Sequence, residues 1–184
     1  MSLKDDPELK KLVEKHGELE VKKSGEPFRR LIVSIINQQL STESAEAIRE
    51  RFFDRFEITP EKILEADPEE MNELGVSSQK IDYMKSSAEK FIQDGLSREK
   101  FSEMSDEEVI DKLTGIHGVG DWTAKMFLIF VLGRKDIFPV EDLGIRQAME
   151  DIYGIESRKL MKEKSLDWKP ERSLASLYLW EHSD

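Results

Sequence analysis

The chain has 184 residues, enough for one compact domain with a sizeable core, and its lack of cysteine excludes disulfides, cysteine zinc sites and any cysteine-held iron–sulfur cluster. Neither an apolar run of about 18 residues nor a signal-peptide pattern is present, so no membrane partner is expected and the expected location is the cytoplasm, at the nucleoid if the source is prokaryotic. The net charge of −11 disfavours a polyanionic partner, but the charge is uneven: residues 57–73 set seven acids against Lys62, whereas 158–172 hold Arg158, Lys159, Lys162, Lys164, Lys169 and Arg172 against three.

In chain order, Asp6-Pro7 opens a first helix running to about His16, where Gly17 stops it. His16 reads as a capping or surface histidine. Pro27 lies at the first turn of a helix over 28–40, with Leu31, Ile32, Ile35, Ile36 and Gln39 along one side. Ser41-Thr42-Glu43-Ser44 starts the next, whose apolar face is Ala45, Ala47, Ile48, Phe52, Phe53 and Phe56. Asn37-Gln38-Gln39 is a polar cluster between the two. Thr59-Pro60-Glu61 and Asp67-Pro68-Glu69 each combine an N-cap, a proline at the first helical position and an acidic first turn. They predict two short helices ending near Ala66 and Gly75. A longer helix spans 78–94, with Ile81, Met84, Ala88, Phe91 and Ile92 on one face and Gly95 closing it. Ser105-Asp106-Glu107-Glu108 is a capping box ahead of Val109, Ile110 and Leu113. Further helices are expected over 122–132, from Leu143 to about Tyr153, and over about 157–164. A last one opens at Lys169-Pro170-Glu171 and turns Leu174, Leu177, Tyr178 and Trp180 inward. Sustained strand alternation and fixed-period repeats are absent, so the predicted fold class is all-α.

The most informative stretch is 113–146. Gly115, Gly118 and Gly120 suit a tight turn or a close backbone approach. The helix after them is apolar nearly all round and so belongs in a core. Its first turn has backbone N–H groups without intrahelical partners, which suits a phosphate. An ordinary turn between two helices accounts for the same glycines.

LTGIHGVGDWTA (113–124) resembles the helix-hairpin-helix of the DNA glycosylase superfamily, and FPVEDLGI (138–145) resembles that superfamily's Gly/Pro-rich loop ending in an aspartate. The branch it is most similar to is the alkylpurine one, the 3-methyladenine DNA glycosylase II type, from about Phe28 to Trp180. His16-Gly17-Glu18-Leu19 and Leu74-Gly75-Val76 with Lys80 also match. The resemblance implies a single glycosylase domain over 1–184, in which two helical subdomains flank a DNA cleft. The first and last helices would form one subdomain, and the central helices with the hairpin the other. The endonuclease III branch usually carries a four-cysteine cluster, which this chain cannot.

Asp142 stands where a helix N-cap is expected, and capping alone explains an aspartate there. The resemblance makes it the catalytic carboxylate, stabilising the positive charge that develops on the sugar as a glycosidic bond breaks. Glu141 is the weaker candidate. In members that also nick the strand, a lysine stands two residues after the last hairpin glycine; Trp122 occupies that position here, and an indole cannot form a Schiff base. Trp122 and Trp180, with Met126 and Tyr178, are the expected pocket for a flat cationic base; all of them also read as core residues. Gln38, Gln39, Leu40, Gly118, Gly120, Thr123 and Lys125 are the expected DNA contacts, with Gln39 or Leu40 filling the gap left by an extruded base. The carbonyls of Thr114, Ile116 and Val119 would hold a monovalent cation, Na+ or K+. His117 replaces the more usual proline and is given no catalytic role.

The reading is therefore a monomeric, monofunctional glycosylase that flips alkylated purines from double-stranded DNA and hydrolyses their glycosidic bond. A glycosylase for a deaminated or mismatched base is one alternative. A noncatalytic helix-hairpin-helix DNA-binding module is the other.

Overall fold

The computed structural model describes residues 3–183, and every regular element among them is helical. The α-helices are α1 Pro7–His16, α2 Pro27–Asn37, α3 Thr42–Arg55, α4 Pro60–Glu65, α5 Pro68–Glu73, α6 Ser78–Asp94, α7 Arg98–Ser102, α8 Asp106–Thr114, α9 Asp121–Phe130, α10 Leu143–Tyr153, α11 Arg158–Ser165 and α12 Arg172–Ser183. Short 3-10 turns cover Leu3–Asp5 and Leu166–Trp168. No helix among the described residues is long and apolar enough to cross a membrane.

Local sequence explains most starts and stops. Side chains of Asp6, Ser41, Thr59, Asp67, Ser77, Ser97, Ser105 and Asp142 each accept a hydrogen bond from a first-turn N–H. Ser105 and Glu108 close the expected capping box. Gly95 and Gly154, both left-handed, end α6 and α10.

The departures are tertiary in origin. Helix α2 ends at Asn37, short of the expected Leu40, because Gln38 turns extended and Gln39 adopts φ +56°. Helix α9 stops at Phe130, where side-chain and backbone donors of Ser24 take its last carbonyl. Lys169-Pro170 is a cis turn, and α12 starts after it at Arg172. Helix α7 was not expected. Ile92, expected on the inner face of α6, is 44% exposed; the buried stripe runs through Ile81, Met84, Ala88 and Phe91, and Ile92 lies roughly 100° further round the helix.

The chain divides into two compact units, one taking the residues up to Ser24 and from Leu128 onward, the other Gly25–Phe127. The division falls inside α9. The central unit is packed around a run of edge-on aromatic pairs, Phe28–Phe91, Phe91–Phe101 and Phe101–Phe127, with centroids 5.1, 5.9 and 5.1 Å apart. In the other unit α1, α10 and α12 enclose Leu9, Leu12, Ile145, Met149, Trp168 and Leu179.

A carboxylate sits in that second core. Asp6 is 4% exposed and caps α1 through Oδ1, which accepts from the N–H groups of Glu8 and Leu9 and from the Tyr153 hydroxyl at 2.9 Å. Oδ2 accepts from the Trp168 indole at 3.0 Å and from Lys164 Nζ at 2.9 Å. Burial alone pushes this carboxyl up, but the bonds from Lys164, Trp168, Leu9 and Tyr153 outweigh it and bring it down to about 2. A depressed carboxyl contributes stability that is present above its unfolded value of 3.8 and is lost as pH falls through about 2. Asp6→Asn should therefore lower the unfolding free energy by about 2 kcal/mol at neutral pH. Urea titrations should show the gap to the wild type narrowing between pH 4 and 2 (about the span of the two values); a gap independent of pH would separate Asp6 from this linkage. Lys164, like Arg172, is thus committed to a carboxylate, and the basic stretch offers Arg158, Lys159, Lys162 and Lys169 as its exposed cations.

Candidate functional site

In the unit formed by the chain ends, one aspartate is held with unusual care. After α9 the chain folds back, with the N–H of Arg134 donating to the Leu128 carbonyl. The segment 134–137 is then clamped to the start of α12. Arg172 grips Asp136 with two bonds of 2.7 and 3.0 Å and also donates to its carbonyl. Buried Ser173 donates to the Arg134 carbonyl and accepts from the N–H of Ile137. Phe138 and Val140 fill the core, and the N–H of Asp142 closes a turn onto the Pro139 carbonyl. Pro139, whose ring fixes its own φ, is one part of a larger clamp on this approach.

Asp142 is the N-cap of α10, as expected. Its Oδ1 accepts from the N–H of Ile145 at 3.0 Å and from the indole N–H of Trp180 at 2.9 Å. Both bonds fall on the same oxygen, so the plane of the carboxyl is fixed. Gly144 makes that approach possible: a Cβ there would lie 2.9 Å from Ser183 Oγ, 3.3 Å from Trp180 Cδ1 and 3.4 Å from Asp142 Oδ1. The Trp180 ring is backed by Phe130, tilted by 34° at 5.6 Å. The arrangement presents a carboxylate at the positive end of a helix on side chains with little freedom to move.

Tyr178 has a different place from the pocket wall expected of it. It is 2% exposed, its hydroxyl donates to the Gly17 carbonyl at 2.9 Å, and the same oxygen accepts from the N–H of Leu19 at 3.1 Å. The reason is that α12 turns this side chain into the core rather than toward a surface. This contact explains the His16-Gly17-Glu18-Leu19 motif, in which Gly17 turns at φ +75°. His16 is correspondingly more than a surface residue: its side chain is 16% exposed, and Nδ1 faces Glu181 at 3.5 Å.

In the central unit, the glutamine turn and the glycine hairpin meet. Gln38 Nε2 donates to the Gly118 carbonyl at 3.2 Å. Gln39 and Leu40 are exposed beyond it. Gln39 is the one non-glycine with positive φ among the described residues, a conformation that costs on the order of 1–2 kcal/mol and persists where its surroundings impose it. The turn is braced by Lys80 Nζ on the Ile36 carbonyl at 2.7 Å and by Arg49 on the Asn37 side chain at 2.8 Å. None of these three bonds was legible in the sequence.

The hairpin is pinned by buried Ile116 and Val119, and the N–H of His117 donates to Ser86 Oγ at 3.2 Å. Gly118 turns at φ +86°, and a Cβ there would fall 2.2 Å from the Tyr83 ring, so only glycine fits. The ring of His117 meets Tyr83 edge-on at 4.8 Å. Gly120 has nothing within 4 Å of a Cβ and no positive φ. Of the expected carbonyls, that of Ile116 already accepts the Val119 N–H at 3.1 Å and keeps one lone pair. Trp122, at 42%, is exposed on the first turn of α9, and Met126 is half-buried one turn on. Lys125 is half-buried. Thr123 is buried, a correction to its expected place near a phosphate, because it shares a face of α9 with buried Phe127 one turn on.

The profile of the HhH-GPD superfamily base excision DNA repair proteins matches residues 32–171. A Schizosaccharomyces pombe relative named DNA-3-methyladenine glycosylase 1 is 38% identical over 171 residues, which cover 86% of this chain and 73% of that protein. A Saccharomyces cerevisiae DNA-3-methyladenine glycosylase is 35% identical over 76% of this chain, which spans about half, 52%, of that protein's length. Among solved structures, a Bacillus halodurans DNA-3-methyladenine glycosidase superposes with a TM-score of 0.89 at 32% identity, covering 99% of this chain and 87% of the other. An S. pombe 3-methyladenine DNA glycosylase in complex with abasic DNA gives 0.84 at 35% identity, over 97% and 92%.

Proposed function

Because this chain belongs to the HhH-GPD superfamily of base excision DNA repair proteins, we propose that it is a monofunctional DNA glycosylase that hydrolyses the N-glycosidic bond of alkylated purines of the 3-methyladenine and 7-methylguanine class in double-stranded DNA. The observation that carries the reading is the Asp142 carboxylate, tied through Oδ1 to Ile145 and Trp180 at the start of α10. As the C1′–N bond breaks, positive charge grows on the sugar, and a fixed carboxylate lowers the energy of that state without having to reorganise. The same carboxylate orients a water molecule and takes its proton as the water's oxygen bonds to C1′. The bond's electron pair leaves with the base. A purine alkylated at N3 or N7 carries positive charge, so it departs neutral and needs little help from a general acid.

Trp122 gives such a cationic ring an aromatic face and supplies no amine for covalent attack. The hairpin amides at Gly118, Gly120 and Trp122 grip a phosphate, and the turn at Gln39 and Leu40 fills the gap left by the flipped nucleotide. The carbonyls of Thr114, Ile116 and Val119 suit a monovalent cation, which would add positive charge beside that phosphate. The enzyme acts as a monomer in the compartment that holds the DNA.

A duplex with one methylated purine tests the absence of lyase chemistry. Base release should leave the strand whole until alkali is added, and borohydride should trap no adduct. A trapped adduct, or breaks without alkali, would assign covalent chemistry to some other residue.

A further inference from the structure

The groups that hold the glutamine turn and the hairpin lie along one side of α6. Lys80, Tyr83 and Ser86 follow one another at intervals of three, so their side chains share a face. Lys80 Nζ donates to the Ile36 carbonyl at 2.7 Å, the Tyr83 ring lies under Gly118, and Ser86 Oγ receives the N–H of His117. The last carbonyls of a helix have no intrahelical partner, and here the chain leaves α2 abruptly into the left-handed Gln39. Lys80 satisfies one of those carbonyls at the point of exit. Its ammonium is half-buried there, with no carboxylate in ion-pair range among the described residues, and burial pulls its pKa down. A cation kept at that cost beside a strained residue has a local purpose.

We propose that Lys80 is a positioning residue for the base-side turn: by capping Ile36 it holds Gln39 in the conformation that enters the duplex, and through α6 it fixes that turn in register with the phosphate-side hairpin. The proposal rests on reading Gln39 and the hairpin as DNA contacts. Lys80 itself touches neither the base nor the reacting bond, so its loss should appear in base extrusion and not in bond cleavage.

Single-turnover base release from a paired lesion, divided by release from the same lesion in a single strand, reads this directly. Gln39→Ala should lower the ratio, since flipping is the step that the unpaired substrate avoids. Lys80→Met should lower it about tenfold, the usual scale for losing a charge-assisted hydrogen bond. Lys80→Arg, which can still donate to Ile36, should restore most of it. The double variant should fall no further than Gln39→Ala alone, because both act through the same turn. Should Lys80→Met not fold, Lys80→Gln, polar but too short to keep the 2.7 Å bond, takes its place with the same outcomes. A ratio unchanged by Gln39→Ala would remove the wedge reading and the proposal with it. A ratio lowered by Gln39→Ala but not by the Lys80 changes, or multiplied losses in the double variant, would overturn the proposal alone.

Discussion

Asp142→Asn should reduce base release by at least about a hundredfold, the scale of removing one preorganised electrostatic contact, while leaving duplex binding and thermal stability near the wild type. Asparagine caps helices as well as aspartate does. Its carbonyl oxygen can accept the same bonds from Ile145 and Trp180 that now fall on Oδ1. Those two donors select the orientation of the amide, which places an NH2 group where the second carboxylate oxygen stood. The fold is kept, and a partial positive charge faces the developing cation. Measured under single turnover, the loss should be equal on paired and unpaired lesions, since it lies in bond cleavage. Release near the wild-type rate would assign the charge stabilisation to another group.

The second large effect separates two hairpin glycines that look alike in sequence. Gly118→Ala places a Cβ within 2.2 Å of the Tyr83 ring and in a left-handed conformation. It should lower the melting temperature and weaken duplex binding together, because α6 and the hairpin cannot both keep their places. At Gly120 a Cβ meets no protein atom within 4 Å, and φ is not positive, so folding gives no reason for glycine there. The proposed phosphate grip supplies a reason, since a DNA backbone would approach closely there. Gly120→Ala should therefore bind an abasic duplex about tenfold more weakly by fluorescence anisotropy, the cost of losing roughly one charge-assisted bond, with its melting temperature little changed. Equal effects of the two substitutions on stability would contradict this division of roles.

The contrast shows what could be read from the chain. Asp142 was legible because its signals are local: a helix start, a proline before it and a motif in register with the hairpin. The Trp180 indole on its carboxyl was not, since that bond joins residues 38 apart and depends on how α12 docks beside α10. Tyr178 was misplaced for the same cause. Periodicity identified its helix face but could not show that the hydroxyl reaches Gly17 and Leu19, which is also why the histidine–glycine motif had no evident chemistry. Asp6 read as a cap and is one; its bonds to Tyr153, Lys164 and Trp168 come from elements about 150 residues away in sequence, a separation that no local pattern spans. The end of α2 was drawn late because Gln38 and Gln39 continue a helical pattern, and only Lys80, Arg49 and the hairpin enforce the turn.

The identity of the freed base separates an alkylpurine glycosylase from a glycosylase for another lesion and from a noncatalytic DNA-binding module. Duplexes carrying 3-methyladenine, 7-methylguanine, uracil or a plain mismatch would be incubated with the protein and the released bases separated by chromatography. An alkylpurine glycosylase should give free methylpurines with the strands intact, and slower or no release from the uracil and mismatch substrates. Release of uracil ahead of the methylpurines, or binding to all four duplexes with no base released, would contradict it.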